Sequence, residues 1–172
     1  LANVLKDKGM LREAITSYQK ALALLPTDAT THSNLLYTLN YSADYDSATL
    51  FAAHQQFNQQ HALSLTSSNK PHPNDATLSR RLKLGYISAD FRQHPVASFC
   101  EPILANHDHQ QFEIFCYYNS SKTDAVTQRL QRYADHWCPC VDLSDEALAE
   151  RLRQDHIDLL IDLSGHIANH RL

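Results

Sequence analysis

Two histidines occupy the kind of position at which an α/β domain delivers reactive groups. His94 closes the polar run Asp90-Phe91-Arg92-Gln93-His94, which follows the strand-like stretch Arg81-Leu82-Lys83-Leu84-Gly85-Tyr86-Ile87-Ser88 and leads into Pro95. His166 closes Leu163-Ser164-Gly165-His166 after an apolar run at 157–163. An imidazole at neutral pH can accept a proton from a hydroxyl, or donate a hydrogen bond that orients one. In open α/β sheets ligands lie beyond the carboxyl ends of the strands, so both loops would face a crevice. Taken alone, His94 also fits an ordinary surface-loop histidine; the elements around it weigh toward a site. A third constellation is His136-Trp137-Cys138-Pro139-Cys140, where strand alternation would put His136, Cys138 and Cys140 on one face. Those are zinc-type ligands, but a closed site needs a fourth, and no second Cys pair lies at finger spacing. They read as strand residues, with Pro139 marking an edge, and no metal site is expected.

Strands at 82–88, 112–118, 136–141 and 157–163 must position the loops. They alternate with helices at about 95–107, 124–134 and 145–154, the signature of a parallel sheet. Gly85 suggests a close backbone approach, and Pro95 suits the first turn of a helix, where its missing N–H is not needed. Ser144 is a suitable N-cap, with Asp145 and Glu146 in the first turn. The run Ile157, Leu159, Leu160, Ile161 and Leu163 is apolar enough for a strand buried on both faces.

The first 62 residues follow a helical period instead. Leu1, Ala2 and Leu5 form one stripe, Gly9 breaks it, and Leu11, Ala14, Ile15, Tyr18, Ala21 and Leu22 resume it until Pro26. The order of small residues, aromatic and terminal proline is that of a tetratricopeptide repeat. A degenerate second unit follows, with helices at about 30–40 and 47–62. The latter presents Leu50, Phe51, His54, Phe57 and His61 as a core stripe, to which no site is assigned. Residues 63–80, rich in Ser, Thr, Asn, Lys and Pro, read as a linker to a sheet domain at 81–172.

A 43% hydrophobic content over 172 residues is enough for a core. The net charge of -4, from 15 Lys+Arg against 19 Asp+Glu, gives a nucleic-acid backbone no electrostatic partner. No apolar run approaches the roughly 20 residues of a membrane helix, and no signal-peptide layout opens the chain. The four cysteines fit a reducing compartment, and the expected location is the cytoplasm. The chain opens without Met inside a helix and reads as a fragment.

With these motifs in order, the chain resembles bacterial members of the O-linked N-acetylglucosamine transferase family, which includes the plant SPINDLY-type O-fucosyltransferases. The resemblance rests on Ser33-Asn34-Leu35-Leu36, on Gly85 to Phe91 leading into His94-Pro95-Val96, on Phe112-Glu113-Ile114-Phe115-Cys116-Tyr117, and on Asp162-Leu163-Ser164-Gly165-His166. It implies the last repeats of a longer array, then the first part of the N-terminal Rossmann-like domain of a GT-B glycosyltransferase. His94 matches the family's active-site histidine, and Pro95, Asp162, Gly165 and His166 fall in its substrate-binding motifs. The implied reaction moves a sugar, foremost N-acetylglucosamine from UDP-GlcNAc, to Ser or Thr of a protein acceptor guided by the repeat groove, without metal or other cofactor. Two positions depart from the family pattern: Ser98 stands where many relatives carry a second histidine, and Ile167 where the loop usually has a threonine hydroxyl. With three glycines at 9, 85 and 165 there is no Gly-rich phosphate loop, so the nucleotide half is expected beyond Leu172 and the isolated fragment should be inactive. Two alternatives stay open: a transferase of fucose or another hexose, and a non-catalytic peptide-binding adaptor.

Overall fold

Gly9, at φ +76°, supplies the left-handed residue that ends the first helix, α1 (Ala2–Asp7), before α2 (Leu11–Leu24). The Gly9 N–H donates to the Lys6 carbonyl and the Met10 N–H to the Leu5 carbonyl, both at 2.9 Å, which satisfies the carbonyls at the helix end. Asp28 then caps α3 (Ala29–Leu39) by accepting the Thr31 N–H at 3.1 Å, and Asp46 caps α4 (Ser47–Phe57) by accepting the Thr49 N–H at 2.8 Å. The result is two helical hairpins. Ala14, Ile15 and Tyr18 of α2 pack with Leu35, Leu36 and Leu39 of α3 and with Phe57.

The computed structural model describes residues 1–68, 70–77, 79–167 and 170–171. Asn69 and Leu78 of the expected linker, and Ala168, Asn169 and Leu172 at the end of the expected sheet domain, lie outside the described residues.

The second helix of the second hairpin differs from expectation. It is α-helical to Phe57, passes into a π-helical turn at Asn58–Ala62, and tightens into a 3₁₀ helix at Leu63–Ser68. Phe51, expected in the core stripe, is 64% exposed, because Leu50, Ala53 and Phe57 at i, i+3 and i+7 form the packed face of the α-helix and Phe51 lies about 100° round from Leu50.

The chain divides into two units, Leu1–Lys70 and Pro71–Leu172. Residues 71–80 are tied to the second: the Asn74 amide donates to the carbonyls of His156 and Ile157, and Arg80 forms a two-pronged ion pair with Asp158 at 2.6 Å. Asp158 also accepts the Lys83 N–H at 2.9 Å.

The second unit holds a parallel sheet of β1 (Leu82–Ser88), β2 (Phe112–Tyr118), β3 (His136–Pro139) and β4 (Leu159–Asp162), in the order β3-β2-β1-β4. Helices α5 (Pro95–Ala105), α6 (Ala125–Leu130) and α7 (Asp145–Gln154) connect them. Alternation along the strands sorts the core. Leu84, Tyr86, Ile114, Cys116 and Tyr118 meet Ala97, Cys100 and Leu104 of α5 and Leu130 of α6. On the other face, Ile87, Phe115 and Tyr117 meet Leu148 of α7 and Cys140. The winding therefore reverses at β1, with two helices on one face and one on the other, as right-handed crossovers require. This is a Rossmann-like arrangement.

Gly85 is tight as expected, although the approach is by side chains: a Cβ there would lie 3.1 Å from Ile157 and Leu160 and 3.2 Å from Tyr117. The expectation for β4 is corrected. Among the described residues it lies at one edge of the sheet, as β3 does at the other, with Leu159 56% and Leu160 48% exposed where burial on both faces was expected. An apolar run marks a strand but not its place in the sheet order.

Candidate functional site

The winding reverses at β1, and the carboxyl ends of β1 and β4, where Ile87 pairs with Asp162, flank the switch point at which open α/β sheets bind ligands. The two histidine-bearing loops leave from these adjacent ends.

The loop after β1 is held from inside and outside. Phe91 is fully buried against Tyr118 and Trp137, anchoring the middle of the loop in the core. Asp90 accepts the Arg92 guanidinium at 2.8 Å, and its backbone N–H donates to the Ser88 hydroxyl. Asp124 caps α6 by accepting the Thr127 N–H at 2.9 Å and with its other oxygen accepts the Gln93 N–H at 2.7 Å. The Gln93 and Thr127 amides hold the Asp124 carboxyl below its usual range.

His94 is the N-cap of α5, with Pro95 in the first turn. Its backbone is extended, and its Nδ1 accepts the Val96 N–H at 3.3 Å. A ring nitrogen that accepts a hydrogen bond carries no proton, so in this arrangement the proton resides on Nε2, leaving Nε2–H as the group available to a ligand. Asp90 Oδ2 lies 3.7 Å from the same Nδ1. The side chain is 32% exposed and lines a cavity of about 500 Å³ with Arg92, Gln93, Pro95, Ser98 and Arg129. Arg129 is paired with Glu101 in that wall.

The loop after β4 is shaped by Asp162. Its two carboxylate oxygens accept the N–H groups of Ser164 at 3.2 Å and Gly165 at 2.6 Å, and Gly165 turns the chain at φ +54°. His166 follows, with its ring edge-on to His170 at 6.0 Å. Asp162 lines a separate cavity of about 120 Å³ beside α7, with Arg171. Of the expected site residues, His94 and Pro95 therefore share a cavity, whereas Asp162, Gly165 and His166 do not line it.

His136, Cys138 and Cys140 fall on one face of the sheet, as strand alternation predicts, but each is engaged there in other contacts. His136 bonds Glu113 at 2.7 Å and stacks on Phe115, while Cys138 and Cys140 pack toward α7. Burial pushes the Cys140 thiol up to about 11 and the Cys100 thiol likewise to about 11, so neither supplies a thiolate nucleophile near neutrality. Among the described residues no group of three His, Cys, Asp or Glu side chains is arranged to hold a metal ion, and no helix is long and apolar enough to cross a membrane.

Sequence reasoning gave no role to Asp90 or Asp124. The i,i+4 spacing of Asp90 and His94 was a local signal for the first. Asp124 is 30 residues from His94, and only the neighbouring positions of β1 and β2 bring it there.

Comparison with known proteins places the chain. A protein of solved structure, a mutant of the O-GlcNAc transferase of Thermobaculum terrenum, is 38% identical with a TM-score of 0.92, covering 99% of this chain and 33% of that one. The protein named "Probable UDP-N-acetylglucosamine--peptide N-acetylglucosaminyltransferase SPINDLY" of Oryza sativa subsp. japonica is 29% identical over 92% of this chain and 17% of its own length. The UDP-N-acetylglucosamine--peptide N-acetylglucosaminyltransferase of Caenorhabditis elegans is 30% identical over 78% of this chain and 12% of its own. The chain thus spans a third or less of the length of these relatives. The model of glycosyl transferase family 41 matches residues 12–171, across both units and both histidine loops, and the chain belongs to that family.

Proposed function

We propose that this chain forms part of a protein O-glycosyltransferase that moves N-acetylglucosamine from UDP-GlcNAc to a Ser or Thr hydroxyl of a protein acceptor. The observation that carries this reading is the family match across the His94 loop, joined to relatives whose names describe transfer from that donor to peptides. In the reaction the hydroxyl oxygen bonds to the anomeric carbon, the bond to the diphosphate breaks, and the hydroxyl proton passes to the departing diphosphate or to water. His94, tied through Nδ1 to α5, offers an Nε2–H donor, which suits holding acceptor or donor in place better than removing the proton. Pro95 sets the helix start beneath His94, and Asp162, Gly165 and His166 form the substrate-binding loop on the neighbouring strand end.

Residues 1–62 are read as two tetratricopeptide repeats whose groove guides the acceptor, which agrees with the paired helices and with Ala14 buried where they meet. The reaction needs no metal or other cofactor from this part. The leaving diphosphate is held by the remainder of the parent protein, in the cytoplasm.

The test is His94→Ala in the full-length parent. Turnover should fall about 10²- to 10⁴-fold, the contribution of a positioned acid, base or donor, with the melting temperature nearly unchanged. Near-normal turnover, or loss only through unfolding, would return His94 to an ordinary loop residue.

A further inference from the structure

One ring nitrogen of His94 has two suitors. Nδ1 accepts the Val96 N–H at 3.3 Å, which requires it to be unprotonated, and lies 3.7 Å from Asp90 Oδ2, which would favour a proton there. The two contacts select opposite tautomers: with Val96 in command, Nε2 is a donor, and with Asp90 in command, Nδ1 carries the proton and Nε2 becomes an acceptor. Asp90 is placed to exert this influence. It is 6% exposed and fixed through its own N–H on the Ser88 hydroxyl, so its field is poorly screened. Its other oxygen is bound by Arg92, which draws off part of the negative charge.

We infer that Asp90 is a positioning residue that sets which ring nitrogen of His94 carries the proton, with Arg92 moderating its pull. Asp90 does not meet substrate in this scheme; it decides whether His94 offers a hydrogen bond or a lone pair. Its relevance to catalysis rests on the role proposed for His94, but the tautomer itself can be read without turnover.

The experiment is ring-nitrogen NMR of the full 172-residue chain labelled with ¹⁵N-histidine, at a pH where His94 is neutral, reading the ratio of Nδ1–H to Nε2–H forms. Asp90→Asn replaces a carboxylate that repels the Nδ1 lone pair with a group that does not. The ratio should move toward Nε2–H by about threefold to tenfold, less than a full charge-assisted hydrogen bond at close range would give. Arg92→Gln leaves Asp90 in place and removes its counter-charge, so the ratio should move the opposite way, toward Nδ1–H. The Ser88 contact is made by the backbone N–H of residue 90 and is open to both variants; Arg92→Gln leaves the residue-90 side chain itself unaltered, so it tests the inference even if Asp90→Asn does not fold. Unchanged ratios in a folded variant, or shifts of the same sign in both, would overturn it. In the parent, the Asp90→Asn ratio shift with wild-type turnover would instead refute the role of His94 while leaving the tautomer control intact.

Discussion

At the scale of single residues, two histidines are fixed by local contacts for different ends. His94 stands half-exposed at a cavity wall with one nitrogen committed to its helix. His32 is buried in the helical unit, where its Nδ1 lies 3.0 Å from His61 Nε2 and its ring packs edge-on against Phe57. One of those two nitrogens carries the shared proton, so charging both rings breaks the contact. Burial first, then the charges of His61 and His54, hold the His32 imidazole below its ordinary 6.5, while Asp28 faces His61 from the start of α3. A histidine depressed in the fold binds its proton more readily unfolded. The helical unit therefore has its full stability above about pH 6.5 and loses it as pH falls below that value. Melting curves at about pH 7.5 and 5.5 should show this loss in the native chain and a clearly smaller one in His32→Leu; equal losses would place its origin elsewhere.

At the scale of elements, the junction before β1 behaves as part of the sheet. Arg80 first, then the Lys83 amide and Asn74, hold the Asp158 carboxyl far below its ordinary 3.8, against the opposing effect of burial. The contribution of that anchorage to stability is full above the ordinary carboxylate range and declines as pH falls below that range toward the lowered titration of the folded carboxyl. Asp158→Asn should cost about 1–3 kcal/mol, since it leaves the Arg80 charge facing a neutral amide in a mostly covered site. Limited proteolysis checks the element directly. The native chain should be cut first within residues 63–70, where the described side chains are exposed, and the variant should gain cuts at 72–80. Early cutting at 72–80 in the native chain would mean the ion pair does not hold that segment.

At the scale of the whole molecule, the chain spans 33% of the solved relative it matches, and its wall at His94 contains no glycine-rich loop of the kind that cradles phosphates. The purified chain should therefore show no transfer with UDP-GlcNAc and an acceptor peptide, and turnover by it would refute the assignment of the diphosphate site to the rest of the parent.

Much of this was legible in the residues themselves. Strand β1 at 82–88, β2 at 112–118 and α7 at 145–154 fall at the expected bounds, because alternation, capping by Ser144 and the proline at α5 are local signals that neighbours along the chain fix. The same locality made His94 visible: a polar loop between a strand and Pro95 is a short-range pattern. The place of β4 beside β1 was not legible, since an apolar run is the same string wherever it falls in the strand order. Nor were the Asp124 brace on Gln93, the clamp of Arg80 on Asp158, or the separation of the Asp162 loop from the His94 cavity. Each joins or parts groups far apart in sequence, and strand order, set by packing around β1, decides which of them meet.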